Sequence, residues 1–360
     1  FESATSKDRK IMYLGQGDSA LFTGLYLAAE SYRYHVTGSD EALSYVRRTL
    51  AGIKKLSLIS GNGMLARAIY PVDGELVEQF LKTYSPDYIQ TGRLDGRDYY
   101  WMGRTSRDQY AGIYFGLSVA YDFVNDEDLR NEVREIITRL TEHLLKKNWF
   151  VYNADGSIRT TFVGRTDQQL SILQVARHVN PGRFAKEYES FAWWHAGGTW
   201  WPMWLESLDL KNSYFKYNLA SLYWFNLLRL EPEGSKHRKK YRDAYSHYWK
   251  TVRGHQNAHF NMVDRALFGA DDGRDQQTRD LLDQFLTRGL RHKTVDLRDK
   301  YKACSDNWSC DPIPVAERAS SDFIWQREPF LLFQEGDERV EGPGIDYLLP
   351  YWMARAYGVL

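Results

Sequence analysis

Long apolar segments alternate along this chain with charged, amphipathic segments. Residues 104–123, RTSRDQYAGIYFGLSVAYDF, begin with a polar cluster and continue as an apolar run. The pattern predicts a helix that is buried on most of its circumference. Small residues recur within the run, at Ala111, Gly112, Gly116, Ser118 and Ala120. They would let neighbouring helices approach this one closely.

The same arrangement recurs along the chain, which indicates an internal repeat. Each of six apolar segments has Asp or Asn near its start, and these residues are Asp18, Asp108, Asp167, Asn218, Asn261 and Asp346. A turn and a charged amphipathic helix follow each of the first five segments. The predicted helical hairpins cover residues 11–58, 105–147, 165–196, 211–253 and 255–291. A last apolar helix covers residues 345–358.

Two long connections, residues 59–104 and 292–343, join hairpins of this repeat. We expect a short helix near residues 75–83 within the first connection. Connections of this length in a compact domain are usually functional. Residues 149–161 predict a short β-hairpin, with Asp155 and Gly156 in its turn.

Paired inner and outer helices predict an all-α fold, an α/α toroid of six hairpins that is closed or nearly so. We expect a single domain over residues 1–360, with long loops at one end. An open helical solenoid is the alternative. In a toroid the starts of the inner helices converge, so their Asp and Asn side chains would ring a cavity. The competing interpretation for each of them is a helix N-cap.

Charge and hydropathy exclude some classes of protein. The chain has 47 basic and 47 acidic residues, whereas nucleic-acid-binding proteins normally carry a basic excess. No apolar run approaches the length of a membrane-spanning helix. The first ten residues are polar and do not resemble a signal peptide.

Aromatic residues are unusually abundant, at 15% of the chain, with 12 Trp and 25 Tyr. Residues 193–204, WWHAGGTWWPMW, place five Trp around a Gly-Gly pair and His195. Aromatic rings stack on the C–H faces of sugars. A core role is possible for each ring, but the polar, Gly-containing surroundings favour the rim of a cavity, with Trp200 and Trp201 as candidate sugar contacts.

The chain resembles the six-hairpin α/α-barrel carbohydrate-active enzymes, and most closely the unsaturated glucuronyl hydrolases. In that family two Asp on successive inner helices face each other across the sugar. Asp108 and Asp167 are separated by one hairpin, which suits that arrangement. The resemblance covers the whole chain as architecture and implies a glycan-processing enzyme.

Glycosidic bond cleavage needs one carboxylic acid to protonate the leaving oxygen and a second carboxylate to activate water or attack carbon. We predict that Asp108 and Asp167 are this pair, with neither metal nor cofactor. Arg104, Arg107 and Arg165 would bind a carboxylate or sulfate of an anionic oligosaccharide or polysaccharide. The other predicted substrate contacts are Tyr110, Gln168, His195, Trp200, Trp201, Asn218, His259, Asn261 and Asp346.

Two alternative functions remain open on the same fold. A polysaccharide lyase or a sugar epimerase would use His or Tyr as the base, and His195 and His259 are the candidates, with Tyr110 or Tyr217. A non-catalytic glycan-binding protein would need the aromatic residues but no paired carboxylates.

The two cysteines, Cys304 and Cys310, lie six positions apart in one polar segment. A disulfide across a small surface loop and a pair of free thiols are both consistent with this spacing. A disulfide would favour a periplasmic or secreted protein, and a cytoplasmic location stays open. The oligomeric state cannot be read from the sequence.

Overall fold

The computed structural model describes residues 2–5, 11–14, 16–207, 214–289, 293–318, 323–324, 328–337, 339–342 and 344–360. Helices dominate these ranges, so the predicted all-α class is confirmed in the coarser sense that the fold is mostly α-helical. The α-helices are α1 (Ser19–Thr37), α2 (Asp40–Leu58), α3 (Val77–Thr83), α4 (Arg107–Phe123), α5 (Glu127–Lys146), α6 (Thr166–Val179), α7 (Pro181–His195), α8 (Trp200–Ser207), α9 (Phe215–Arg229), α10 (Arg238–Val252), α11 (Ala258–Phe268), α12 (Asp272–Thr287) and α13 (Ile345–Ala356).

Twelve short strands accompany the helices in the described ranges. They are β1 (Glu2–Thr5), β2 (Ile11–Leu14), β3 (Ala68–Pro71), β4 (Ile89–Leu94), β5 (Arg97–Met102), β6 (Phe150–Tyr152), β7 (Ile158–Thr161), β8 (Val295–Asp296), β9 (Ala303–Ser305), β10 (Trp308–Ser309), β11 (Phe333–Gln334) and β12 (Val340–Glu341). They form sheets with the orders β12-β1-β2, β3-β5-β4, β6-β7, β8-β11 and β9-β10, and all described pairs are antiparallel.

The chain divides into two compact units, which we describe separately. The N-terminal unit comprises Gly15–Pro202 and Leu222–Arg242. The C-terminal unit comprises Phe1–Leu14, Met203–Ser221 and Asp243–Leu360. The single-domain organisation and the closure of the helices into a toroid both stay predictions.

The N-terminal unit contains the first three predicted helical hairpins, α1–α2, α4–α5 and α6–α7. Each apolar helix packs against the amphipathic helix that follows it. The second helices of the first two hairpins have side-chain caps, because Ser39 accepts a hydrogen bond from the Ala42 amide and Asp126 from the Leu129 amide. Their apolar faces are buried, while the charged faces are exposed.

Helices α1 and α4 lie in close, parallel contact. A Cβ atom added at Gly24 would collide with the Gly112 carbonyl, and one at Gly116 would collide with the Gly24 carbonyl. At the far end the rings of Tyr32 and Phe123 lie 4.7 Å apart. The small residues thus allow the close approach that the sequence predicts, and both helices begin at the same end of the unit.

Helix α6 and the second half of α9 run parallel to α4. His178, near the end of α6, bonds Asp122, near the end of α4, with 2.6 Å between Nε2 and Oδ1. Within α9, Asn226 accepts a 2.6 Å hydrogen bond from Ser118 of α4, and Tyr223 bonds the start of α4. The starts of α1, α4 and α6 therefore lie at one end of this unit.

The connection at residues 59–104 contains more structure than expected. The short helix is present as α3, but the sheet β3-β5-β4 was not predicted. Asp95 and Gly96 form its tight turn, with φ of 51° and 78°, as a type I′ hairpin requires. The hairpin β6-β7 confirms the one predicted near residues 149–161.

In the C-terminal unit, α11 and α12 form the predicted fifth hairpin and α13 the last apolar helix. The predicted boundaries at residues 211–213 and 290–291 lie outside the described residues. Residues 11–14 form strand β2 rather than part of the first helical hairpin, because β1 and β2 pair with each other. Cys304 and Cys310 are joined by a disulfide, with 4.9 Å between their Cα atoms. No described helix is long and apolar enough to cross a membrane.

Candidate active site

Three carboxylates lie at the starts of the parallel helices, and we call them the acid cluster: Asp18, Asp108 and Asp167. Asp18 directly precedes α1, and the other two are the second residues of α4 and α6. None of the three caps its helix through its side chain. Asp18 occupies the N-cap position of α1 without a side-chain capping bond, and Asp108 and Asp167 lie inside their helices, so capping bonds do not account for these three side chains.

The Gln109 side chain connects two members of the acid cluster. Its Nε2 lies 3.2 Å from Asp18 Oδ1 and 3.2 Å from Asp108 Oδ2. Its Oε1 accepts a 3.0 Å hydrogen bond from the Leu21 amide. Because the contact between α1 and α4 is close, one amide can span both helices and hold the two carboxylates together.

Arg67, from the first long connection, holds Asp18 in place. Its Nη2 lies 3.0 Å from Asp18 Oδ1, its Nε donates to the Gly17 carbonyl at 2.6 Å, and its Nη1 donates to the Arg104 carbonyl at 3.2 Å. The connection thus contributes a direct contact to the acid cluster.

The pKa of Asp18 is raised above the ordinary value of an aspartate. Burial disfavours the charged carboxylate and outweighs the nearby Arg67, which acts in the opposite direction. The negative charge of Asp108 raises the pKa of Asp18 further. Raised pKa values in carboxyl groups are a common property of proton donors in enzymes.

Arg104 has a left-handed backbone, with φ of 55°. This conformation is uncommon for residues other than glycine and is found at functional sites. The Arg104 guanidinium lies 4.0 Å from the centre of the Tyr88 ring. Arg107 follows in the first turn of α4, and its guanidinium forms no ion pair with any described residue. Both arginines are partly exposed, so the predicted anion-binding role is available to them.

Asp167 is more enclosed than the sequence indicates. Its side chain is 2% exposed, and Arg165 contacts both of its oxygens, at 3.3 Å from Nε and 3.1 Å from Nη2. Arg165 therefore neutralises Asp167 rather than standing ready to bind a substrate. This arrangement makes Asp167 a weaker catalytic candidate than Asp108, which is half-buried.

Tyr223 lies among these charged groups, although sequence reasoning did not identify it. Its hydroxyl donates a 2.9 Å hydrogen bond to the Arg107 carbonyl. Burial raises the pKa of Tyr223 well above its ordinary value, and the charges of Asp167 and Asp108 also raise it, against the opposing effect of Arg107. Both predicted catalytic carboxylates are thus close enough to act electrostatically on one hydroxyl. In the sequence, Tyr223 is indistinguishable from its apolar neighbours on α9.

Gln168, which follows Asp167, is 96% buried, with 4% of its surface exposed. Its Oε1 atom has no hydrogen-bond partner among the described residues. A buried polar atom in this state is normally satisfied by a water molecule or a ligand. The predicted contact Tyr110, by contrast, is fully buried beside Phe162, with 5.7 Å between ring centres, and it belongs to the core.

The Trp-rich segment lies next to α6. Thr166 donates a 3.1 Å hydrogen bond to the Gly198 carbonyl, which joins the residue before Asp167 to this segment. Trp200 and Trp201 are 43% and 39% exposed, as sugar contacts would have to be. His195 is exposed, and its ring lies 4.3 Å from that of Phe191.

Four predicted site residues belong to the C-terminal unit. His259 is buried, with its Nε2 3.1 Å from the Ser221 hydroxyl, and burial lowers its pKa to about 3. Asp346 Oδ1 accepts hydrogen bonds from the Phe323 and Ile324 amides, at 3.1 and 2.9 Å.

The other two predicted residues of that unit are also buried. Asn261 donates a 2.9 Å hydrogen bond to Gln277, and Asn218 accepts one at its carbonyl from Ser221. All four of these residues have structural contacts within their own unit.

Among the described residues, no three His, Cys, Asp or Glu side chains come together as metal ligands would. A shallow depression of about 640 Å³ lies elsewhere on the N-terminal unit, where Asn62, Arg139, His143 and Lys146 contribute to its lining. Its lining includes no member of the acid cluster.

Comparison with known protein families, curated proteins and solved structures gives no match for this chain.

Proposed function

We propose that this protein is a glycoside hydrolase that cleaves an oligosaccharide or polysaccharide. The observation that carries the proposal is the acid cluster. Three carboxylates from the starts of three parallel helices lie at one end of the unit, and none caps a helix. Hydrolysis of a glycosidic bond requires two carboxyl groups at close range, one acidic and one charged.

Asp108 is the central residue of this proposal. It is partly exposed, it shares the Gln109 amide with Asp18, and it acts together with Asp167 on Tyr223. The resemblance to the unsaturated glucuronyl hydrolases implies the pairing of Asp108 with Asp167, and their separation by one hairpin suits it. The enclosed ion pair of Asp167 with Arg165 means that substrate binding would have to open this pair before Asp167 could act on a sugar.

The surroundings of the acid cluster suit a glycan. Trp200 and Trp201 offer exposed rings on a segment bonded to the start of α6, and such rings stack on sugars. Arg104 and Arg107 would bind a carboxylate or sulfate on the substrate. We therefore propose an anionic glycan as the substrate class.

The parallel packing of α1, α4, α6 and the second half of α9 supports the α/α toroid as the complete architecture of the enzyme. The disulfide of Cys304 with Cys310 supports export, because disulfides persist in oxidising compartments. Cell fractionation of the source organism tests this location, and recovery of the protein from the cytoplasm alone would contradict it.

A panel of neutral and anionic polysaccharides tests the proposed activity. We expect reducing ends to be released without the absorbance of an unsaturated uronate, which a lyase would produce. Asp108→Asn should lower turnover at least about a hundredfold with little change in melting temperature, and Asp167→Asn should do the same if it is the second carboxylate.

Asp126→Asn is the matched control for these variants. Asp126 also lies at a helix start, but it caps α5, and Asn caps helices nearly as well as Asp. The control should keep full activity. Near-normal turnover in the Asp108 variant, on a substrate that the parent protein cleaves, would contradict the proposal.

A further inference from the structure

The shallow depression on the N-terminal unit is a groove along the outer face of α5, and we call it the α5 groove. Side chains of α5 form its floor, the turn at residues 61–63 forms one wall, and Asn180, between α6 and α7, forms the other. Arg134 and His143 lie about two and a half helical turns apart and therefore on opposite sides of α5. The volume of about 640 Å³ lies within the range of ligand-binding clefts.

Hydrogen bonds hold both walls of the α5 groove against the helix. On one side, Asn180 Nδ2 donates to Thr138 Oγ1 at 3.0 Å. On the other side, His143 Nδ1 lies 2.9 Å from the Asn62 carbonyl oxygen, and a Cβ atom added at Gly63 would lie only 3.0 Å from the same nitrogen. The groove is therefore built from elements that are fixed to one another.

Two cations on the floor of the groove have no carboxylate partner. Arg139 and Lys146 are exposed, and neither forms an ion pair or a hydrogen bond with any residue that the structure describes. Glu142 could pair with Lys146 by its spacing on the helix, but its Oε1 instead accepts a 2.8 Å hydrogen bond from Arg183. Seven residues of helix separate Arg139 from Lys146, which is about 10 Å along the axis. The floor can therefore bind two anionic groups of one extended ligand.

The groove also contains hydrogen-bond acceptors. The bond to the Asn62 carbonyl requires a proton on Nδ1 of His143, which leaves Nε2 of the neutral ring unprotonated. Burial lowers the pKa of His143, and the charges of Lys147 and Lys146 lower it further, against the opposing effect of the Asn62 bond. The exposed carboxylate of Glu135 is a second acceptor in the lining. Sulfate has no proton to donate to these acceptors, whereas the hydroxyls of a sugar do.

We propose that the α5 groove binds a segment of an anionic oligosaccharide. Arg139 and Lys146 bind its carboxylate or sulfate groups. His143 and Glu135 accept hydrogen bonds from its hydroxyls. No aromatic side chain contributes to the described lining, so charges and hydrogen bonds select the ligand. The inference goes beyond the proposed hydrolase activity, because the groove can bind a glycan that the acid cluster does not cleave.

Affinity electrophoresis tests the class of ligand, with polygalacturonate, dextran sulfate or neutral dextran in the gel. We expect both polyanions to retard the parent protein and neutral dextran to have at least about tenfold less effect, because ion pairs supply the selectivity. Retardation should weaken as salt is added. Equal retardation by neutral dextran, or none by either polyanion, would overturn the inference.

Matched double variants locate the binding. Arg139→Gln with Lys146→Gln should lower the affinity for the polyanions at least about fivefold. Lys147→Gln with Arg159→Gln is the control, because it removes the same two residue types from exposed positions outside the lining. The control should stay within about twofold of the parent protein. Equal losses in the two double variants would reveal a nonspecific effect of net charge and would overturn the inference.

His143→Asn tests the acceptor, because the Asn amide nitrogen can replace Nδ1 in the bond to the Asn62 carbonyl while Nε2 is lost. The affinity should fall about threefold with an unchanged melting temperature. Unchanged affinity, or competition by inorganic sulfate as strong as that by the saccharide, would indicate a simple anion site and overturn the assignment. A protein that binds the polyanions through this groove but cleaves neither would contradict the proposed activity on them and support this inference.

Discussion

Acidic side chains lie at both ends of the parallel helices α4 and α6, but their hydrogen bonding differs between the two ends. At their starts, Asp108 and its neighbour Asp18 share one neutral amide and keep oxygen atoms uncommitted. Near their ends, acidic residues are saturated with partners. We call the group at this second end the Glu231 network, which consists of Gln174, Arg177, Tyr188 and Glu231.

Glu231 has no exposed side-chain surface and is held by three donors of its network. Its Oε2 accepts hydrogen bonds from Gln174 at 2.8 Å, from Arg177 at 3.1 Å and from Tyr188 at 2.6 Å. A buried carboxylate with this many partners stabilises one arrangement of the chain, because loss of any partner leaves a charge unsatisfied.

Under the proposed function, the difference between the two ends separates structural charge from functional charge. Where the acidic groups are fully bonded, they hold elements together and can do little else. Where they keep free oxygens beside arginines, their environment costs stability and permits chemistry.

Removal of the charge of Glu231 should be the most destabilising change. Glu231→Gln leaves the Arg177 guanidinium, 17% exposed, without its buried carboxylate, and breaking a buried ion pair costs about 3–5 kcal/mol. The matched control is Glu189→Gln, since Glu189 contacts the same arginine but is 48% exposed. That change should cost no more than about 1 kcal/mol. Urea unfolding measures both, and equal costs would show that the Glu231 network is not a stabilising centre.

The sequence predicted the helices of the N-terminal unit well, because their apolar periodicity is strong and their turns are marked. Gly112 and Gly116 indicated a close helix contact, and it is present. The sheet β3-β5-β4 was missed because its strands are short and only partly buried. Their Asp95–Gly96 turn was the available signal.

The acid cluster was predicted only in part. Asp18, Asp108 and Asp167 were all predicted to lie at the starts of apolar helices, but the resemblance led us to predict a catalytic role only for Asp108 and Asp167. Arg67 and Tyr223 could not be assigned, because their contacts with the cluster join segments that are distant in the chain. The enclosure of Asp167 by Arg165 depends on side-chain direction, which a two-residue spacing does not determine.

Gly112→Ala should destabilise the packing of α4 against α1 and lower the turnover of glycan. The added methyl group would collide with the Leu21 backbone, and overpacking of this kind costs about 1–3 kcal/mol. Because the same contact sets the distance between Asp18 and Asp108, glycan turnover should fall as well. Gly52→Ala in α2 is the control, since nothing lies within 4 Å of its added methyl group. That change should stabilise the protein by about 0.5–1 kcal/mol, and a similar loss in both variants would contradict the proposed close contact.

The smallest expected effect is the opposite response of Asp18 and Asp122 to pH. Burial raises the pKa of Asp122, but the His178 hydrogen bond and the Arg229 charge outweigh it, so its pKa is lowered. The stabilisation by Asp122 is therefore present above the ordinary aspartate pKa and is lost as the pH falls through its lowered value.

Asp18 has the reverse dependence, because its pKa is raised in the folded protein. The contribution of Asp18 to the stability of the folded protein is fully present below the ordinary aspartate pKa. It is lost as the pH rises through the raised pKa of Asp18. Asp122→Asn should therefore lower the melting temperature most at neutral pH, whereas Asp18→Asn should leave it unchanged or raise it there. Both differences should shrink in acid. Thermal unfolding between about pH 3 and pH 7 measures them, and a loss of stability at neutral pH in both variants would mean that Asp18 is a structural charge like Asp122.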